Sequence, residues 1–115
     1  MPGYEIWDIV KVPFPYAKRP VQQRRPALVV AMPETPGAPP LLWVLMVTSA
    51  ANRGLPGDVV VTDLAKAGLP APSVVRAAKI ATIKAADAER IGQLCDADVA
   101  RVMAALRLNI ERMLG

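Results

Sequence analysis

The chain has 115 residues, a formal net charge of +4 and a sequence pI near 9.6, with one cysteine and no histidine. That length builds one domain, residues 1–115, around a single core. Without histidine the commonest general acid/base, the Ser-His-Asp and Cys-His arrangements and most zinc sites are excluded, and Cys95 alone closes no internal disulfide and builds no metal cluster.

Cys95 reads as a small, half-buried apolar residue in a reducing compartment. No apolar run reaches the roughly 18 residues needed to span a bilayer. Met1-Pro2-Gly3-Tyr4-Glu5 lacks the basic head and apolar region of a signal peptide, so a cytoplasmic protein without membrane attachment is expected. Between Asp8 and Glu34 there is no acidic residue, whereas Lys11, Lys18, Arg19, Arg24 and Arg25 all fall there. One basic face is expected, which permits nucleic acid as a partner without requiring it.

Asp8 to Phe14 alternates apolar and polar residues and reads as the first strand. Pro13 and Pro15 end it and bracket Phe14 and Tyr16, aromatics that either stack a base or simply pack. Tyr16 to Arg25 is a polar, basic loop whose length points to function or mobility rather than to a tight hairpin. Pro26 cannot donate to a ladder, so it marks the start of the second strand, Ala27 to Ala31, and leaves Arg24 and Arg25 in the loop before it. An always-charged fork at a rigid strand end suits phosphate; the plainer alternative is a solvated loop. Pro33 to Pro40 supports neither helix nor central strand.

Leu41 to Thr48 is the third strand, nearly all apolar and expected to be buried on both faces. It ends in two hydroxyls, Thr48 and Ser49, where strand meets solvent. Asn52-Arg53-Gly54-Leu55-Pro56-Gly57 is turn chemistry, followed by a short fourth strand, Asp58 to Thr62. Asp63 to Gly68 reads as one helical turn, capped by Asp63 and stopped by Gly68. Ser73 to Ile83 is a fifth strand carrying Arg76 and Lys79. Asp87 to Leu94 reads as a helical turn weakened by Gly92. In the last element, with Asp96 as N-cap, Val99, Val102, Met103, Leu106, Ile110 and Met113 form one helical stripe expected to be core. Trp7 and Trp43 are assigned to the core or a dimer seam. Short strands followed by one helix predict a mainly β, small, strongly bent barrel with helical trim, and loops at one rim are the natural place for a site.

Several segments together resemble the PemK/MazF-like toxin family of type II toxin–antitoxin systems: WDIVKVPFPY, RRPALVV, the VTS closing the third strand, GDVVVTDLAKAGLPAPSVVRAAKIATI and ERIGQLCDADVARVMAALRLNI. The likeness runs from about Trp7 to Ile110. It implies an SH3-like (CcdB/MazF-like) β-barrel with a C-terminal helix and a homodimer. It also implies a metal-independent, cofactor-free endoribonuclease that cuts single-stranded RNA by attack of the ribose 2′-hydroxyl on the neighbouring phosphate. A cognate antitoxin would block the groove and carry the toxin to promoter DNA.

By motif position, Arg25 would contact the scissile phosphate, Thr48 would hydrogen-bond it beside Ser49, and Arg76 would fall at a second basic position. These types suit a reaction that builds a more negative phosphorus centre, where preorganised donors are worth most. Lys18, Arg19 and Arg24 would guide an RNA backbone. Where several members carry a glutamate before the RP arginine this chain has Pro20, and where others carry an aspartate after the SVVR arginine it has Ala78. The carboxylates left to consider are Asp8, Asp63 and Glu5. Asp8 reads as completing the turn into the first strand, after Trp7 where the family usually has glycine. Three readings stand: an RNA-cleaving toxin, a catalytically weak or inactive member that binds antitoxin or nucleic acid without cutting, and a barrel dimer with a structural role.

Overall fold

The structure, a computed structural model, describes residues 3–13 and 24–115. The chain runs β1 (Asp8–Pro13), β2 (Arg24–Ala31), β3 (Leu41–Ser49), β4 (Asp58–Val60), α1 (Leu64–Ala67), β5 (Ser73–Lys84), β6 (Glu89–Gln93) and α2 (Asp96–Leu114), with 3-10 turns at Ala50–Asn52 and Ala85–Asp87. Among the described residues these strands form one antiparallel sheet in the order β4-β5-β3-β2-β1-β6. The expected mainly β architecture with a C-terminal helix is therefore what forms. Register breaks at Ile9/Val10, Val29/Ala31 and Leu45/Met46 bend it, as bulges do.

Side chains alternate across the sheet and divide the buried residues into two clusters. Ile9, Leu28 and Leu45, paired across three strands, face one way with Val47, Val59 and Val75, and the helices cover them through Ala67, Val102 and the half-buried Leu64, Val99 and Leu106. Val10, Val12, Ala27, Val29 and Val44 face the other way, with Ala81 and Ile83 of β5 and the half-buried Tyr4 and Met46. The sheet thus splits the single core expected from length into two. Each buried Leu or Val in either cluster contributes about 1.5–3 kcal/mol relative to exposure.

Local signals place α1 as expected: the Asp63 carboxylate accepts the Lys66 N–H, and Gly68 closes the turn in the left-handed region at φ 71°. Segment 87–94 differs from expectation. Its residues Glu89–Gln93 form a strand, β6, paired with β1, and only Asp87 belongs to a helical turn, the 3-10 turn Ala85–Asp87. Gly92 marks a close approach: a Cβ there would collide with the backbone of Ala67, and one on Gly68 with the carbonyl of Ile91. Tertiary pairing overrides local pattern here.

Other boundaries shift too. β2 begins at Arg24, so Arg24 and Arg25 belong to the strand, opposite Pro13 and Val12 of β1. Pro26 is tolerated inside because β3 joins β2 only from Ala27 onward, leaving the first three residues with β1 as their sheet neighbour. β3 is not buried on both faces, since Trp43 is 45% exposed and so lies outside the core. β4 stops at Val60, and the α2 N-cap is Cys95 rather than Asp96. Only the first half of α2 packs. Met103, Ile110 and Met113 of the expected core stripe are exposed.

Asp98, in the first turn of α2, anchors that packed half. It is fully buried, accepts the Thr62 N–H at 2.8 Å and the Thr62 hydroxyl at 2.9 Å, and pairs with Arg101. Burial pushes its pKa up, but the two Thr62 hydrogen bonds, Cys95 and the charge of Arg101 outweigh it and hold the carboxyl below the usual range.

Candidate functional site

The β2–β3 ladder reaches its end at Ala27 opposite Met46. Two residues beyond that last pair stand Arg25 on β2, where the strand pairs with β1, and Thr48 on β3. By the two-residue strand period both project on the face of Ala27 and Met46, at the rim of the second cluster. Arg25 is exposed and Thr48 half-buried. Met46 is also opposite Arg76 of β5, and Thr48 opposite Val74, so Arg76 joins the same face one strand further on. Thr48 and Arg76 thus share one face of β3 and β5, and Arg25 lies two residues past the last β2–β3 pair.

Arg76 is held within the fold. It lies opposite Asp58 of β4, and its Nε and Nη2 donate to the two oxygens of that carboxylate at 3.2 and 3.1 Å. The two side chains keep only 11% and 8% of their exposure. Nη2 also donates to the carbonyl of Asn52 at 2.6 Å, and Asn52 Nδ2 donates to Thr48 Oγ1 at 3.1 Å. Asp58 Oδ2 further accepts the N–H groups of Gly54 and Leu55 at 3.2 and 3.3 Å. One network thus runs from Asp58 through Arg76 and Asn52 to Thr48 and shapes the β3–β4 connection. The hydrogen bond from Arg76 holds the Asp58 carboxyl below its ordinary pKa against the opposing effect of burial, and Asp58 in turn raises that of Arg76.

The remaining candidates sit differently. Arg24 projects from the opposite face of β2 to Arg25; it donates to Glu89 at 3.1 Å and to the carbonyl of Asp87 at 2.8 Å, tying β2 to the start of β6. Ser49 caps the 3-10 turn by accepting the Ala51 N–H at 3.3 Å. Ala78 is exposed in the stretch of β5 that bulges away from β3. Phe14, Tyr16, Lys18, Arg19 and Pro20 lie outside the described residues. Of the carboxylates weighed from sequence, Asp8 does complete the turn into β1: it is buried, exchanges hydrogen bonds with Glu5 and contacts Arg90 at 3.1 Å. Asp63 caps α1. Among the described residues no three His, Cys, Asp or Glu side chains converge to hold a metal ion, and no helix is long and apolar enough to cross a membrane.

Comparison with protein-family models matches residues 5–110 to the PemK-like, MazF-like toxins of type II toxin–antitoxin systems. The chain belongs to this family. Solved MazF structures share its fold. The Mycobacterium tuberculosis toxin MazF-mt6 superposes with TM-score 0.67 at 24% identity over 90% of this chain and 96% of that one. MazF from Deinococcus radiodurans superposes with TM-score 0.67 at 24% identity over 94% and 96%. A mycobacterial endoribonuclease in complex with its cognate antitoxin superposes with TM-score 0.67 at 15% identity over 91% and 92%. No curated protein matches the chain.

Two residues of this candidate site in the PemK/MazF-family chain escape a reading of the sequence. Asn52 looks like turn filler, yet it holds the Thr48 hydroxyl on one side and the Arg76 guanidinium on the other. Asp58 opens a short strand and stands 18 positions from Arg76, a partner that only the antiparallel pairing of β4 with β5 supplies. The available signal was that pairing: two β-branched runs, DVV and SVVR, flanking a single helical turn.

Proposed function

We propose that this toxin is a metal-independent endoribonuclease of single-stranded RNA. The ribose 2′-hydroxyl attacks the adjacent phosphorus and the bond to the 5′-oxygen of the next nucleotide breaks. A 2′,3′-cyclic phosphate and a 5′-hydroxyl are left. The observation that supports the reading is the end of the β2–β3 ladder at Ala27 opposite Met46, beyond which the strand period carries Arg25 and Thr48 toward one face. Arg25 supplies fixed positive charge to the phosphate as its negative charge grows, and the Thr48 hydroxyl supplies a hydrogen bond to a phosphoryl oxygen. One preorganised donor of this kind is worth on the order of a hundredfold in rate.

Arg76, spent on Asp58 and Asn52, shapes the site rather than touching the phosphate. Asp58, with its pKa lowered, is an anchor and a poor base. Lys18, Arg19 and Arg24 lend a positive field along the RNA backbone, and Ser49 lies beside Thr48. The toxin acts in the cytoplasm as a homodimer, is held by a cognate antitoxin, and reaches promoter DNA only within that complex.

A second reading, a member that binds RNA or antitoxin without cutting, is favoured by the chemistry absent from the chain: no histidine, and Pro20 and Ala78 at positions where the resemblance implies a carboxylate in some members. Incubating purified protein with mixed-sequence RNA in EDTA and mapping the ends separates the two. Cuts with cyclic-phosphate ends support the nuclease. Retention of RNA without cuts supports the binder and overturns the nuclease.

A further inference from the structure

We infer that Asn52 is a positioning residue that fixes the Thr48 hydroxyl as a hydrogen-bond donor toward the phosphate, with the Arg76–Asp58 pair as the scaffold that holds Asn52 in place. The inference deepens the reading just given and rests on its assignment of Thr48. A threonine hydroxyl has one hydrogen and two lone pairs. Asn52 Nδ2 donates into one of those lone pairs at 3.1 Å. The hydroxyl hydrogen is thereby left for another acceptor, on the face shared with Arg25. A hydroxyl turning freely at a strand end would point at a phosphoryl oxygen only part of the time.

The main chain of Asn52 is held in place, because its carbonyl accepts from Arg76 Nη2 at 2.6 Å and Arg76 is held on Asp58 through Nε and Nη2. The same carboxylate pins the next turn through the N–H groups of Gly54 and Leu55. Arg76 grips the main chain of Asn52, so changing the Asn52 side chain removes the donor to Thr48 and leaves the scaffold standing.

The test is a double-mutant cycle of Asn52→Ala and Thr48→Val. It is read twice: as kcat and KM on mixed-sequence RNA, and as affinity for the 2′-deoxy strand, which lacks the attacking hydroxyl. Circular dichroism and melting verify that each variant folds. Asn52→Ala should lower kcat about tenfold with KM little changed, the loss expected for one hydrogen bond made in the transition state. In the Thr48→Val background the same change should have almost no effect. Asn52→Asp offers Thr48 only an acceptor, so it should lose more than Asn52→Ala while Thr48 is present, and no more than Asn52→Ala once Thr48 is valine.

Losses that multiply independently in both readouts overturn the inference and leave the nuclease assignment intact. If the wild-type protein binds the deoxy strand but cuts no RNA, the nuclease reading falls, and coupling between the two positions in affinity then decides the inference alone. A wild-type protein that neither binds nor cuts overturns both.

Discussion

Asp58 and Arg76 face each other across the β4–β5 ladder, joined by two hydrogen bonds of 3.2 and 3.1 Å, and both are nearly withdrawn from solvent. The pair sits between a loop and a strand end that sequence separates widely. The carboxylate collects the Gly54 and Leu55 N–H groups, while the guanidinium collects the Asn52 carbonyl. Its consequence is order in the β3–β4 connection, a segment with little apolar burial of its own. Burial with full hydrogen bonding explains why such a pair persists, since an ion left there without its partner is costly.

Asp58→Ala should therefore cost about 2–3 kcal/mol in urea unfolding, because it removes four accepted hydrogen bonds and takes the carboxylate from the Arg76 guanidinium. The local signature is more specific than the global loss. Amide exchange at Gly54 and Leu55 should accelerate well beyond that of the sheet amides of β1 and β2. Equal acceleration everywhere would mean that Asp58 supports the whole fold and not this loop.

Stability should fall on acidification for a reason that can be assigned. Asp58 and Asp98 both have folded pKa values below their ordinary ones, Asp58 through its hydrogen bond to Arg76 and Asp98 through the Thr62 hydrogen bonds and Arg101, against burial. The unfolded state then binds more protons between the lowered values and about 3.9, so stability rises with pH in that window. The contribution is complete above about pH 5 and is lost as pH falls through the folded values. Melting curves from pH 6 down to pH 2 should show the decline, and Asp58→Asn with Asp98→Asn should flatten it.

Local chemistry made much of the fold legible. The Asp63 cap, the Gly68 stop and the long fifth strand appear where turn residues and periodicity put them. What failed depended on partners distant in sequence. Segment 87–94 carries too little pattern to declare itself a strand until β1 lies beside it. Arg24 and Arg25 join β2 because β1 is long enough to pair with them. The C-terminal stripe is real at helical spacing, but the sheet is too small to cover its second half, so Ile110 and Met113 stay exposed. Trp7 is the instructive case. Its φ of 78° lies in the region that favours glycine, the residue the resemblance implied there. The tryptophan is held by main-chain hydrogen bonds on both sides, to Val29 and from Leu94, and it packs on the helix-covered cluster. At the site, Arg25 and Thr48 could be nominated by motif, but the chain linking Asp58, Arg76 and Asn52 existed only in the pairing of β4 with β5.

Gly92→Ala should test how closely α1 and β6 approach. The added methyl would meet the backbone of Ala67, and backbone cannot step aside as a side-chain tip can. Overpacking of this kind costs about 1–3 kcal/mol. The loss should appear in thermal unfolding together with faster amide exchange at the end of α1. Gly92→Ala melting like wild type would mean that the two backbones have room to separate.

Arg25 carries the electrostatic part of the proposed site, and its contribution can be isolated by salt. Each phosphate neutralised by a basic side chain releases counterion, and for single strands the slope of log affinity against log salt is about −0.7 per contact. Arg25→Ala should weaken binding of the 2′-deoxy strand and reduce that slope by the equivalent of about one contact, uniformly across sequences, because a phosphate carries no base identity. Arg24→Ala is the matched control. It removes the same charge from the adjacent position, but from the opposite face of β2, where the guanidinium is engaged with Glu89 and the Asp87 carbonyl. If both variants shift the slope equally, the strand responds to the general positive field of the toxin. If Arg25→Ala alone shifts it, the phosphate sits on the face where Thr48 also stands. Titrations of fluorescent strand at salt concentrations from 50 to about 300 mM would resolve a change of that size, since even a few contacts alter affinity many-fold over such a range.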